Sequence, residues 1–260
     1  MSFYHPLLLL LTLTLTLLTL IPSTTSNAAG TETLIGITGK NFILLGADST
    51  RGSSGGISLT SSTADKISVL SPSIVAAAAG DAADVDAIIS SLEAHCVIRE
   101  YEDGMMGRDV QCVFHGSSGS MGITRSGGGS GGGLDVTSIA HLARSSIASS
   151  LRSSTPLQIN LLLAGMVPPP SSSSSSPSPK LYWLDEYGAS QCIKYGCHGY
   201  GSNFMLSILD RGFYKDMEEE EALELMKNCF DQLKGRYVIN NPQKACVKIL
   251  DENGCRILHL

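Results

Sequence analysis

The spacing of apolar residues changes period several times along the chain, and those changes divide it into elements. Thr33-Leu-Ile-Gly-Ile37, Gly39-Lys40 and Phe42-Ile-Leu-Leu-Gly-Ala-Asp48 are two apolar runs around a short glycine turn, which predicts a β-hairpin. Further strands are predicted over 56–61, 67–70 and 74–79. The period then lengthens: Val85, Ile88, Ile89, Leu92 and Cys96 recur at three and four, after Asp81 and Asp84 in a first turn that favours negative charge. This predicts a helix over 81–98. A second helix, over 135–152, carries Val136, Ile139, Ala140, Ala143, Ile147 and Leu151 on one face, with Asp135 as N-cap.

After these helices the pattern predicts strands over 158–165 and 181–184, the second turning at Tyr187-Gly188. Two more helices follow over 202–210 and 218–234, the latter facing Ala222, Met226, Cys229, Phe230 and Leu233 inward. Strands over 245–250 and 255–258, joined by Asn253-Gly254, close the chain as a hairpin. The order is strands, two helices, a strand pair, two helices, a strand pair. Each sheet has one apolar face to bury and each helix pair one stripe. Two stacked antiparallel sheets with helices on both outsides satisfy them all, an α+β four-layer αββα sandwich; other α+β layouts share the same order.

Low-complexity stretches interrupt this pattern near 104–133, around Gly127-Gly-Gly-Ser-Gly-Gly-Gly133, and near 167–179, a proline and serine run. The glycine run lacks the Gly-Lys-Ser/Thr ending of a phosphate-binding loop, so it reads as a flexible loop. The chain of 260 residues carries a net charge of −6 without a basic block, which excludes an electrostatic nucleic-acid binder. Seven cysteines, an odd number that includes several in apolar runs, read as reduced thiols. Cys192 and Cys197 alone do not complete a metal site.

The amino terminus reads differently. Leu7 to Ile21 is a run of Leu, Thr and Ile, followed by Pro22 and the small-residue stretch Ser26-Asn27-Ala28-Ala29-Gly30. This has the outline of a secretory signal peptide and is too short for a comfortable membrane span. No Lys or Arg precedes Lys40, so a removable propeptide or a mis-assigned start are alternatives. Residues 1–30 are therefore set apart as a leader, and 31–260 as the folded domain.

Four segments read together resemble a proteasome β subunit of the N-terminal-nucleophile hydrolase superfamily. They are Gly30-Thr-Glu-Thr-Leu-Ile-Gly-Ile37, Phe42-Ile-Leu-Leu-Gly-Ala-Asp-Ser49, Asp65-Lys-Ile67 with Ala79-Gly-Asp-Ala-Ala-Asp84, and Gly199-Tyr-Gly-Ser-Asn203 leading to Ile208-Leu-Asp210. The resemblance covers about 31–258. It implies the αββα fold of that superfamily and a place in a ring with other β subunits, against α-ring subunits, in a complex that degrades unfolded polypeptide in the ATP- and ubiquitin-dependent pathway. It also implies the cytoplasm and nucleus, against the signal-like leader, and no cofactor, metal, nucleic acid or membrane.

Active relatives use a threonine freed as the new amino terminus, whose α-amine can take up the hydroxyl proton. By resemblance, Thr31 stands at the nucleophile position directly after Gly30. Asp48 and Lys66 stand at the aspartate and lysine positions, and Gly80 at the oxyanion donor. Other features depart from the active pattern. Tyr200 replaces the first serine of the Gly-Ser-Gly-Ser signature, and Tyr237 and Asn240 replace the aspartate and serine that support the amine. The Thr31-to-Asp48 spacing is one residue longer, and Glu32 adds a negative charge beside the nucleophile. The expectation is a non-catalytic structural subunit with Thr31, Asp48, Lys66 and Gly80 as vestiges. The alternatives are a threonine endopeptidase subunit with Thr31 as nucleophile, and a secreted α+β domain.

Overall fold

The computed structural model describes residues 32–52, 59–105, 112–113, 122–123, 135–169, 176–236 and 245–258. The predicted first hairpin is present as β1 (Thr33–Thr38) and β2 (Ile43–Ala47), with Leu34 opposite Ala47 and Thr38 opposite Ile43. Every residue of both strands is buried, because each face of this hairpin is covered. Beside β2 lie β13 (Cys246–Asp251) and then β14 (Gly254–Leu258). Beside β1 lies β12 (Tyr195–Gly199). The first sheet thus has the order β12-β1-β2-β13-β14.

The second sheet runs β11-β10-β9-β6-β5, built from β5 (Ile67–Ser71), β6 (Ile74–Gly80), β9 (Ile159–Val167), β10 (Ser178–Leu184) and β11 (Ser190–Ile193). Both sheets are antiparallel throughout. Between them Leu34, Ile43, Leu45, Ile67, Val75, Leu162 and Leu181 form a dry layer. Fully burying each large aliphatic side chain contributes about 1.5–3 kcal/mol before the cost of ordering it.

Helices cover the outer faces. Against the second sheet, α1 (Ala82–Met105) and α2 (Val136–Ser150) pack Val85, Ile88, Leu92, Ile139, Ala143 and Ile147 onto Ala76, Ala78, Leu161 and Leu163. Against the first, α3 (Ser202–Gly212) and α4 (Glu219–Arg236) pack Met205, Leu209, Met226, Cys229, Phe230 and Leu233 onto Ile35, Leu44, Val247 and Ile249. The four-layer sandwich is therefore the observed architecture. Asp135 caps α2 as expected, accepting the Thr137 N–H at 3.2 Å. At the head of α1, Asp81 accepts the N–H groups of Ala83 and Asp84.

Several boundaries differ from the sequence reading. Helix α1 continues to Met105, past the predicted end at 98 and into the first low-complexity stretch. Within that stretch β7 (Cys112–Val113) and β8 (Gly122–Ile123) pair as a short ladder, so 104–133 is not wholly loop. The hairpin β9–β10 is longer than predicted, because Val167 pairs with Ser178 inside the second stretch. Near the predicted strand 56–61, β3 (Arg51–Gly52) pairs with β4 (Leu59–Ser61). Strands β11 and β12 were not predicted separately. The second is consequential, because it lays Gly199 against Thr33 at the start of β1. Leu258 packs against the α3–α4 core. The leader, the glycine run and Thr31 lie outside the described residues.

Candidate active site

The strand ends β1, β2, β5 and β6 converge at one end of the sandwich, and three of the four expected site residues meet there. Asp48 follows β2 and is almost fully buried. Its Oδ1 accepts from the Thr33 N–H at 2.8 Å and from Lys66 Nζ at 2.8 Å, and its Oδ2 accepts from the Thr50 hydroxyl at 2.5 Å. Lys66 precedes β5 and is pinned to β6 by the Ala78 N–H, which donates to its carbonyl at 3.0 Å. Its buried ammonium also donates to the Thr50 carbonyl at 2.6 Å. Gly80 ends β6. The fourth residue, Thr31, and the replaced positions Tyr237 and Asn240 lie outside the described residues.

Glu32 is the residue whose place the sequence reading did not anticipate. It was read as a charge beside the nucleophile, yet it turns inward and is buried. Its Oε2 accepts from the Gly80 N–H at 3.2 Å. Its Oε1 lies 3.5 Å from Lys66 Nζ and 3.6 Å from Arg51 Nε. The Arg51 contact is an ion pair too long for a hydrogen bond, and that buried nitrogen has no hydrogen-bond partner. Burial holds the Glu32 carboxyl above the usual carboxylate range; Lys66, the Gly80 N–H and Arg51 offset part of that rise, while Asp48 adds to it.

Two glycines make this arrangement possible. Gly80 has φ +144°, and a Cβ there would stand 2.1 Å from the Gln158 carbonyl oxygen. The neighbouring Asp81 N–H donates to that same carbonyl at 3.0 Å, so the backbone cannot move away without losing it. Gly199 has φ +102°, and a Cβ there would stand 1.7 Å from the Glu32 carbonyl oxygen. The first glycine of the Gly199-Tyr200-Gly201-Ser202 segment thus lets β12 pass directly under Glu32. Tyr200 itself is 66% exposed and faces away from the core.

Chemically, the cluster contains two carboxylates, an ammonium, a guanidinium and one positive-φ amide. Lys66 has three N–H donors; two are hydrogen-bonded to Asp48 and Thr50, and the Glu32 carboxylate stands against the ammonium as well. The Gly80 amide, the expected oxyanion donor, already serves a carboxylate. The described residues contain no group of three or more His, Cys, Asp or Glu placed to hold a metal ion. Among them, Cys192 is exposed on β11 while Cys197 is buried on β12, donating to the Ser202 carbonyl at 3.2 Å. No helix among the described residues is long and apolar enough to cross a membrane.

Comparison with known proteins agrees with this fold. The chain is 37% identical over 127 residues to a probable proteasome subunit beta type-4 of Schizosaccharomyces pombe, a stretch covering 49% of this chain and 62% of that protein. It is 27% identical over 209 residues to the protein so named in Neurospora crassa, covering 80% and 86%. Against proteasome subunit beta type-2-A of Arabidopsis thaliana it is 27% identical over 225 residues, covering 86% and 92%. The family model described as "Proteasome subunit" matches residues 28–113 and 132–249, and the chain belongs to that family, resembling its β-type members.

Proposed function

We propose that this chain is a non-catalytic β subunit of the proteasome core particle, of the kind called beta type-2. It occupies a position in a β ring between other β subunits and against the α ring. In that place it supports ATP- and ubiquitin-dependent degradation of unfolded polypeptide in the cytoplasm and nucleus without cutting peptide bonds itself. Residues 31–260 form its ring-building domain behind a leader at 1–30, and Thr31, Asp48, Lys66 and Gly80 are vestiges of an active site. No nucleic acid, membrane, metal or cofactor enters this role.

The single observation that carries the non-catalytic reading is Glu32, whose carboxylate takes the Gly80 N–H and stands against the Lys66 ammonium. A working site needs the lysine turned towards the threonine amine and hydroxyl, and a free amide to receive the oxyanion. Here the Lys66 ammonium is surrounded by Asp48, the Thr50 carbonyl and Glu32, and the Gly80 N–H is bonded to Glu32. The second reading, a threonine endopeptidase subunit with Thr31 as nucleophile, is favoured by one observation: the Asp48–Lys66 pair is intact at 2.8 Å. Thr31→Ala in the assembled particle separates the two. The expected result is unchanged cleavage of each class of fluorogenic peptide at unchanged assembly. Loss of any one peptidase activity would favour the second reading and refute the first.

A further inference from the structure

A buried glutamate held by one amide and two cations is the geometry of a bound carboxylate ligand. Glu32 reaches the cluster from the first described residue, at the edge of β1. Its two oxygens divide the donors between them: Oε2 takes the Gly80 amide at 3.2 Å, and Oε1 faces Lys66 at 3.5 Å and Arg51 at 3.6 Å. Two of these donors are held independently of Glu32. Gly80 is fixed by its φ of +144° and by the close Gln158 carbonyl. Lys66 is fixed by Asp48 and the Thr50 carbonyl. Arg51 is paired through its backbone in the β3–β4 ladder, and its guanidinium reaches Glu32.

We infer that this cluster is a receptor for a short carboxylate, and that Glu32 is its built-in ligand, occupying in cis the place an oxyanion or a free carboxylate would take. The inference rests on the proposed reading of the site and adds the class of ligand it accepts. Truncating Glu32 at Cβ removes the carboxylate together with one methylene. The fragment removed is the size of acetate, and the Gly80 amide, Lys66 and Arg51 face its place. Cutting the side chain leaves the Gly80 N–H without its acceptor, Arg51 without its carboxylate and Lys66 with Asp48 alone, which is destabilising. A carboxylate added in trans restores those contacts, and a ligand that binds only the folded state raises its stability in proportion to ligand concentration over its dissociation constant.

The test uses the full-length chain with Glu32→Ala, Glu32→Gln as the shape-preserving control, and the unaltered chain. Thermal melting is followed in sodium acetate and in sodium chloride at equal ionic strength. Glu32→Ala is expected to melt lower than the unaltered chain in chloride. Acetate at ten times its dissociation constant should then raise it by about 3–6 °C, while the unaltered chain and Glu32→Gln, whose sites are filled, respond to the two salts alike. If Glu32→Ala does not fold in chloride, its refolding yield in acetate against chloride reads the same effect. The inference is overturned if acetate gives Glu32→Ala no advantage over chloride, or if all three proteins respond equally. These outcomes are independent of Thr31→Ala. A lost peptidase activity there would refute the non-catalytic reading and leave the rescue standing, and absent rescue would do the reverse.

Discussion

His198 on β12 should make the fold lose stability in mild acid, and the size of the loss follows from where the ring sits. The imidazole bridges the two sheets. It stacks on Trp183 of β10 with centroids 4.6 Å apart and planes 12° apart, and its Nε2 donates to the Leu161 carbonyl of β9 at 3.2 Å. The Leu161 and Leu184 carbonyls and Asp185 all favour the protonated ring, but burial outweighs them and lowers its pKa to about 4. In the unfolded chain the ring titrates at its ordinary value near 6.5.

A folded-state pKa below the unfolded one means that the unfolded chain binds the proton more tightly. The stability His198 contributes is complete above pH 6.5 and is lost as pH falls towards 4. At pH 5 the loss is about 2 kcal/mol, and at pH 4 about 3 kcal/mol. His198→Gln keeps an N–H for the Leu161 carbonyl and removes the titration. Urea unfolding of both proteins from pH 7.5 to 4.5 isolates the effect, because every other titrating group cancels in the difference. The unaltered chain is expected to lose about 2 kcal/mol relative to the variant on going from pH 7.5 to 5. Parallel pH profiles would refute the claim that the ring is buried neutral between the sheets.

Two further outcomes are expected. Gly80→Ala should destabilise the chain by about 3 kcal/mol or more, since its Cβ would stand 2.1 Å from the Gln158 carbonyl at a φ of +144°; an unchanged urea midpoint would show that the end of β6 can relax. Replacing residues 168–177 by a short turn should leave the melting temperature equal or higher, because Val167 and Ser178 are already paired and a shorter loop costs less to close; a fall of many degrees would show that the proline and serine run packs against the domain.

The elements legible in the sequence were those whose burial repeats locally. The helical face Val85, Ile88, Ile89, Leu92, Cys96 and the hairpin around Gly39-Lys40 each declare their period within a dozen residues, and both are present. Strands β11 and β12 were missed for a physical reason. The first is an edge strand whose Ser190, Gln191 and Cys192 are exposed, and the second contains two glycines among its five residues. Neither shows the apolar alternation that marks a half-buried strand. The pairing of β12 with β1 joins residues more than 150 positions apart, which no local pattern encodes. At the site, Asp48, Lys66 and Gly80 came from family resemblance, and the structure brings them together. Glu32 and Arg51 did not. A usable signal was present: Glu32 directly precedes the run Thr33-Leu-Ile-Gly-Ile37, which lacks the polar alternation of a half-exposed strand. A charge at the end of such a strand has no water to face and must find donors inside.

That burial also bears on what the charges do in the proposed non-catalytic role. Because the folded chain raises the Glu32 pKa, it binds that proton more tightly than the unfolded chain does. The stability that protonated Glu32 contributes is therefore present in acid and lost as pH rises through the raised value, so ionising the carboxylate costs stability relative to its protonated form. Buried ion pairs often behave this way, since desolvation exceeds their mutual attraction. Stability alone does not account for the cluster. What the charges impose is position. Asp48 ties the end of β2 to the start of β1 and, through Lys66, to β5; Glu32 ties β1 to the end of β6 and to β3. Removing one partner leaves an uncompensated charge inside the sandwich, whereas keeping all four holds five strand ends in one register. In this chain Asp48, Lys66, Glu32 and the Gly80 amide face one another, and under the proposed non-catalytic reading the cluster's work is to fix that end of the domain.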